Sequence, residues 1–469
     1  MKLRPPTQNT VWAELVEALP VLRGLRKKKG GLRQAQAKPT VGLLLALFAS
    51  PALAETVAIT GGTVALGDGS APIQNGTVVI RDGRVVAAGQ GVAVPGGART
   101  IDASGKWVAP GFVAGFSRLG LVEVDAVDPA NDTRAGARSP YSAAIDIEPG
   151  LNPAVTAIAV SRLGGITRAL VAPATNDRIF AGQGAVIDAG ADPQIVTTAR
   201  AFQFVELGET GIEEAGGSRP AAYAEFRASI AAAQRYAANP AGYDGDSRDA
   251  LLNRADAAAL VPVVQGRMPL IVHVESGHDI RQVLKLKREF PALKLVLVGA
   301  AEGWTVAREI AAAGVPVIAS ALGDLPGSFE SLASTQSNIG RMKAAGVRVA
   351  MGMIDDEDAR QARYSPQYAG NLVALTKVPG ATGLSWGEAL AAITSGPAEA
   401  LGMGGEFGSL RPGRRADVVL WSGDPLELSS QAERVWIDGV EQPLTTRQTK
   451  LRDRYARPQE GELPKAYER

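Results

Sequence analysis

The sequence predicts an α/β protein: a TIM-type (β/α)8 barrel with a small β-sandwich formed by both flanking segments. Three observations carry that expectation. Short β-rich segments stand near each end of the chain, apolar strand-like runs alternate with Ala-rich helical runs between them, and the chain is 469 residues long. That length suits one large barrel plus an accessory domain.

The first β segment covers Thr56 to Ile101. Val57-Ala58-Ile59 runs into Gly61-Gly62, and Arg81-Asp82-Gly83-Arg84 joins Val78-Val79-Ile80 to Val85-Val86-Ala87-Ala88. An Asp-Gly step between two β-branched runs signals a hairpin, because both turn positions need positive φ. The second segment holds Ala416-Asp417-Val418-Val419-Leu420-Trp421 and Val435-Trp436-Ile437-Asp438-Gly439. Each segment alone is too short for a core, so the two are expected to pair. The organisation expected is residues 55–109 and 405–445 for the sandwich, 110–404 for the barrel, and a polar, helical tail over 446–469.

Between them, Ala154–Leu163 reads as a helix stopped by Gly164-Gly165, and Ile166–Val171 as a strand. Leu270–Val274, Leu295–Val298, Val315–Ala319 and Val347–Met351 read as further strands. Helices are expected over Asp279–Glu289, Thr305–Ala313 and near Ser337–Ala345. Regular βα alternation implies a parallel sheet with crossover helices. A closed eight-stranded barrel leads, with a doubly wound open sheet as the alternative. No Gly-x-Gly-x-x-Gly follows the first strand, which weakens the nucleotide-binding version.

Composition narrows the chemistry. A formal net charge of +1 gives no reason to expect nucleic acid or an anionic surface as partner. The absence of cysteine excludes disulfides, thiolate metal sites and a cysteine nucleophile. The only histidines are His273 and His278. At the N-terminus, Val41 to Phe48 is too short to span a bilayer. It suits a signal-peptide core, preceded by Lys38 and closed by an Ala-x-Ala site at Ala52-Leu53-Ala54. Residues 1–37, with the basic run Arg23, Arg26 and Lys27 to Lys29, extend beyond a normal leader and read as a start assigned too early. The expectation is an exported protein, periplasmic or secreted, with no membrane segment after cleavage.

Several stretches resemble the amidohydrolase superfamily, in particular its imidazolonepropionase-like and dipeptidase-like branches. One is Ile101-Asp102-Ala103-Ser104-Gly105 through Ala109-Pro110-Gly111-Phe112-Val113, leading into the first barrel strand. Another runs from Val261-Pro262 through Pro269-Leu270-Ile271-Val272-His273 to Glu302-Gly303-Trp304. The C-terminal signature comprises Gly383-Leu384-Ser385, Ile393-Thr394, Pro397-Ala398, Gly408-Ser409-Leu410, Pro412-Gly413, Ala416-Asp417 and Gly423-Asp424-Pro425. Phe180-Ala181-Gly182-Gln183-Gly184 adds a weaker mark. The resemblance implies hydrolysis of amide or cyclic amide C–N bonds by one or two divalent metals at the barrel mouth. The ligands it implies are a His-x-His pair after strand one, a Lys or Glu on strand four, single histidines on strands five and six, and an Asp on strand eight.

This chain departs from that set. Phe116 and Arg118 stand where the His-x-His pair would be, and neither can ligate a cation. His273 matches the strand-five ligand, whereas Gly299 takes the strand-six position. Asp355 or Asp356 offers the strand-eight acid, and Glu206 and Glu209 are candidates on strand four. The catalytic candidates are therefore Asp355, Asp356 and Glu275, with Arg118 and Gln183 as ligand-contacting residues and His273 as the one metal ligand. Each has a plainer reading: a hydrogen-bonded structural histidine at His273, a solvated loop acid at Glu275, a helix N-cap in the Asp355 to Asp358 run, and a turn at Gln183-Gly184. His278 reads as a surface residue near a helix start, and Arg360, Arg363 and Tyr364 as exposed positions near the rim. The sharper reading has Arg118 facing Asp355, Asp356 or Glu275 in place of the lost metal charge.

No cofactor is expected, or at most one zinc ion. The partners expected are a small-molecule ligand and further copies of the chain or a related amidohydrolase. Three functions stay open: a hydrolase with an altered centre, a catalytically silent binding protein or partner subunit, and a purely structural surface protein. Export has a direct check. N-terminal sequencing of the mature protein should begin at or near Glu55, and a mature chain that keeps residues 1–37 would refute the leader.

Overall fold

Two eight-stranded sheets organise the chain, and each is built around its own face of apolar side chains. The computed structural model describes residues 55–136, 139–175, 177–245, 250–321, 323–352 and 361–456. The leader reading and the acids Asp355 and Asp356 fall outside these residues.

The first sheet takes strands from both ends of the chain. Its strands are β1 (Val57–Val64), β2 (Ile73–Arg81), β3 (Arg84–Gly89), β4 (Arg99–Asp102) and β5 (Trp107–Pro110). The barrel strands are β6 (Phe112–Ser117), β7 (Ile166–Val171), β8 (Phe180–Asp188), β9 (Val196–Glu206), β10 (Pro269–Val274), β11 (Lys294–Gly299), β12 (Val317–Ala319) and β13 (Val349–Met351). Three C-terminal strands, β14 (Val418–Trp421), β15 (Ala432–Ile437) and β16 (Val440–Gln442), return to the first sheet. Its order is β16-β15-β14-β5-β1-β2-β3, with β4 alongside β1. Antiparallel β5–β14 pairing, from Pro110↔Val418 to Trp107↔Trp421, is the seam between the two ends. Val57, Ile59, Val78 and Ile80 from one end share a core with Val418, Leu420 and Trp436 from the other. The β2–β3 turn falls at Asp82 (φ 53°) and Gly83 (φ 71°), the double positive φ that the Asp-Gly step requires.

The second sheet runs β13-β12-β11-β10-β9-β8-β7-β6 and is nearly closed. The carbonyl oxygen of Met351 in β13 lies 2.3 Å from where a Cβ on Gly115 of β6 would stand, so the two end strands meet across a glycine. Phe116, Leu170, Phe202, Phe204, Ile271, Val298 and Ile318 fill the interior, as in a packed barrel.

One departure from regular alternation matters. β8 runs antiparallel to both β7 and β9, so hairpins replace two crossover helices. The segment following β6 covers the face left bare: Gln183 N donates to Ile145 O at 2.7 Å, and Ser142 N and Ala144 N donate to buried Asp256. This explains the glycines around Gln183. A Cβ on Gly182 (φ 127°) would meet Ile145 O at 2.6 Å, and one on Gly184 would meet the Phe202 ring at 2.2 Å.

Arg168 of β7 locks the sheets together. Its fully buried guanidinium bonds both carboxylate oxygens of Asp417 at 2.8 and 3.0 Å, and pairs with Asp438 at 2.8 Å. Removing one partner of a buried pair leaves an uncompensated charge. Asp417→Ala should therefore cost about 3–5 kcal/mol of stability, read as a fall in the midpoint of chemical denaturation that Arg168→Lys does not reproduce in full.

Candidate functional site

Strand alternation aims particular side chains into the barrel mouth. Phe202 and Phe204 of β9 fill the interior, so Glu206, two residues on, projects from the same face at the strand's C-terminal end. On β10 the same rule carries Ile271 inward and places His273 beside Glu206, which is its register partner. Chemistry in such barrels sits at this C-terminal end.

His273 is held between two carboxylates. Its Nδ1 bonds Glu206 Oε1, and its Nε2 lies 2.9 Å from Glu275 Oε1. With both carboxylates ionised each ring nitrogen carries a proton, which is the imidazolium form. Burial alone would lower its pKa, but Glu206 and Glu275 hold it well above the usual histidine value. The other oxygen of Glu275 accepts from Ala301 N at 2.7 Å. A Cβ at Gly299 (φ 90°) would come within 2.4 Å of Glu275 Oε1, so the carboxylate occupies the space that a larger residue there would fill.

Around this core stand groups that the sequence reading did not single out. Glu330, between β12 and β13, is 8% exposed and accepts from Glu209 N at 2.8 Å. Burial pushes its carboxyl up to about 7. Burial also raises Glu214 to about 7, and one of its buried oxygens lacks a hydrogen-bond partner. Neither has a local signature: Glu214 ends the short helix Glu209–Glu214 after β9, and Glu330 lies in the single 3-10 turn Phe329–Ser331. Nearby lies a cavity of about 170 Å³ lined by Ser139, Tyr141, Asp177 and Arg178 among others.

Arg118 is buried. Its Nη1 donates to Ala172 O and Pro173 O at 2.5 Å, just past the C-terminal end of β7, and the group lies over the Phe116 ring at 5.0 Å and the Phe204 ring at 5.8 Å. Phe116 packs into the barrel interior. Gln183 bonds to the covering segment, with its side chain 3.5 Å from Ala144 O. His278 is exposed in the first turn of the helix Gly277–Glu289. Arg363 does not sit at the rim: it packs against Gly164, leading into the N-terminal end of β7, and lies over Tyr364. Among the described residues, no three His, Cys, Asp or Glu side chains are arranged to hold a metal ion.

The statistical model of the amidohydrolase family matches residues 187–441, more than half of the chain. The chain belongs to the amidohydrolase family. An amidohydrolase from Thermotoga maritima superposes with a TM-score of 0.70 at 24% identity, over 82% of this chain and 99% of that one. Molinate hydrolase gives 0.50 at 18% identity, over 84% and 95% of the two chains. Phenylurea hydrolase B gives 0.50 at 17%, over 82% and 96%. At these identities the likeness is one of fold. A curated relative, an amidohydrolase of Hapsidospora irregularis, is 45% identical over 60 residues, which span 13% of this chain and 6% of that protein.

In this family member the His273 clamp carries a pH signature. A histidine pKa raised by folding contributes stability that is complete below its unfolded value and lost as pH rises through the folded one. Imidazole ¹⁵N shifts should show His273 still protonated above pH 6.5, the usual value. Glu275→Gln should shift that titration downward, and an unchanged titration would remove Glu275 from the clamp.

Proposed function

We propose that this amidohydrolase-family chain binds a small molecule at the barrel mouth without the family's metal-dependent hydrolysis, acting as a binding protein or as partner subunit of a catalytically intact relative. The family resemblance implies two divalent metals that activate water, and the residues present do not fit that pair. The observation that carries the reading is the carboxylate clamp on His273. A metal needs a bare imidazole nitrogen, and here both nitrogens face carboxylates at hydrogen-bond range.

Three further features support it. Phe116 offers no ligand atom, and the Arg118 guanidinium lying over it adds a fixed positive charge that disfavours a nearby cation. At the strand-six position Gly299 has no side chain, and Glu275 fills its space. The mouth nonetheless keeps Glu206, Glu214, Glu275 and Glu330 with a neighbouring cavity, and carboxylates kept at such cost favour ligand binding over a purely structural role. Hydrolases of small molecules among the structural relatives fit a ligand of that size. Export of the chain from Glu55 onward belongs to the same proposal.

Elemental analysis of the purified mature protein decides the metal question. The reading expects no stoichiometric zinc, and no amide hydrolysis that chelator abolishes. Two zinc equivalents with chelator-sensitive turnover would overturn it. One equivalent would favour a single-metal enzyme using His273, Glu275 and an acid at Asp355 or Asp356. Gly299→His alone should not restore zinc binding, because Glu275 holds the space.

A further inference from the structure

Residues 323–336, between β12 and β13, are built inside out. Of their two acids Asp324 is exposed, but Glu330 is only 8% exposed, while Leu325, Phe329 and Leu332 are 83%, 85% and 63% exposed. Burying a carboxylate and leaving three large apolar side chains in water is unfavourable on both counts. Among the described residues the buried acid gains one charge-assisted hydrogen bond, from Glu209 N. The nearby His273 charge favours it and the like charges of Glu275 and Glu209 oppose it, yet burial still dominates and pushes the carboxyl up. A segment that tolerates such an arrangement has a competing one close in free energy.

The remaining attachments define what can move. Ala333 is the shoulder: its N donates to Glu302 Oε1 at 2.8 Å, and its O accepts from Trp304 Nε1 at 2.7 Å. Glu302 also accepts from Gly277 N, so the Glu302-Gly303-Trp304 motif ties this shoulder to the helix after β10. Gly323 and Gly327 have open space where a Cβ would stand, so among the described residues none packs closely on the segment at these two positions. The tip, Ser328 to Ser331, is internally braced by Ser328 Oγ and Ser331 Oγ at 3.1 Å, and would move as a unit. The seat is shaped to receive Glu330: a Cβ at Gly208 would lie 2.9 Å from Glu330 Oε2.

We propose that residues 323–336 form a strap over the barrel mouth, closed by insertion of Glu330 against Gly208-Glu209. In its open form Glu330 turns to solvent and Phe329 turns toward the mouth. Closure places a carboxylate beside the His273–Glu275 pair and so restricts what enters. The consequence for ligand entry rests on the binding reading above, whereas the two-state strap does not.

Hydrogen exchange on the full-length mature protein, read by mass spectrometry, tests the strap without any ligand. Gly208→Ala fills the seat without altering the strap, and Gly208 has φ −80°, which alanine accepts. It should speed exchange several-fold in peptides covering 207–212 and 325–335, as should Glu330→Ala, with β10 unchanged. Phe329→Ser should do the reverse, slowing exchange in both peptides, because it removes the apolar gain of the open form. If Gly208→Ala and Glu330→Ala leave both peptides at the wild-type rate, Glu330 does not hold the strap. If Phe329→Ser leaves them unchanged, the inward turn of Phe329 is wrong. Faster exchange in β10 as well would mean general destabilisation and would count against a local strap. None of these readouts depends on metal, ligand or turnover, so a failed strap and a failed binding reading are told apart.

Discussion

Arg168 is the charge on which the two sheets depend. It lies on the second barrel strand, fully buried, and its partners Asp417 and Asp438 come from the far end of the chain. A guanidinium taken out of water must find its hydrogen bonds within the protein, and the planar fork bonds both oxygens of Asp417. Asp438 sits at positive φ (50°) in the β15–β16 turn, bonded also by Arg415. A third carboxyl, Asp188, stands 3.7 Å away, and burial pushes it up to about 6. The C-terminal strands are thus fixed to the barrel by charge as well as by backbone pairing.

At the barrel mouth, on the proposed reading, the protein's own charges stand in place of the family's metals. A metal site in such a barrel surrounds a cation with bare imidazoles and carboxylates. Here the positive charge belongs to the protein itself: an imidazolium between Glu206 and Glu275, and a guanidinium over two phenyl rings. The residues at these positions contact one another. Gly299 leaves room for Glu275, Glu275 with Glu206 favours the protonated form of His273, and Phe116 gives Arg118 a face to lie on. Such mutual accommodation is what a close-packed interior requires when one residue changes.

The Glu302-Gly303-Trp304 motif acquires a role in this light. Glu302 and Trp304 grip the backbone of 333, while Asn338 Oδ1 accepts from Trp304 N and Asn338 Nδ2 donates to Ala300 O. The segment bearing Glu330 is therefore anchored at one end and seated at its tip. The same motif that aligns the sequence with the family also orders the mouth's cover.

The sequence by itself determined the periodic and the covalent: strand and helix alternation over 154–171 and 270–351, the Asp82-Gly83 hairpin, the pairing of both chain ends, and the absence of thiols and of a histidine set. Those features follow from local propensity and from which side chains exist at all. The antiparallel β8 was not legible, because its FAGQG glycines answer to Ile145 and Phe202, far away along the chain. Nor was the role of Arg168, whose partners lie 249 and 270 positions on. His273 and Glu275 were legible as candidates, but only their distances revealed a clamp. Glu330 was invisible beforehand, since burial and a single backbone donor, rather than its neighbours in sequence, bring it to the mouth. Local pattern decides which elements form, while long-range packing and charge decide what those elements hold between them.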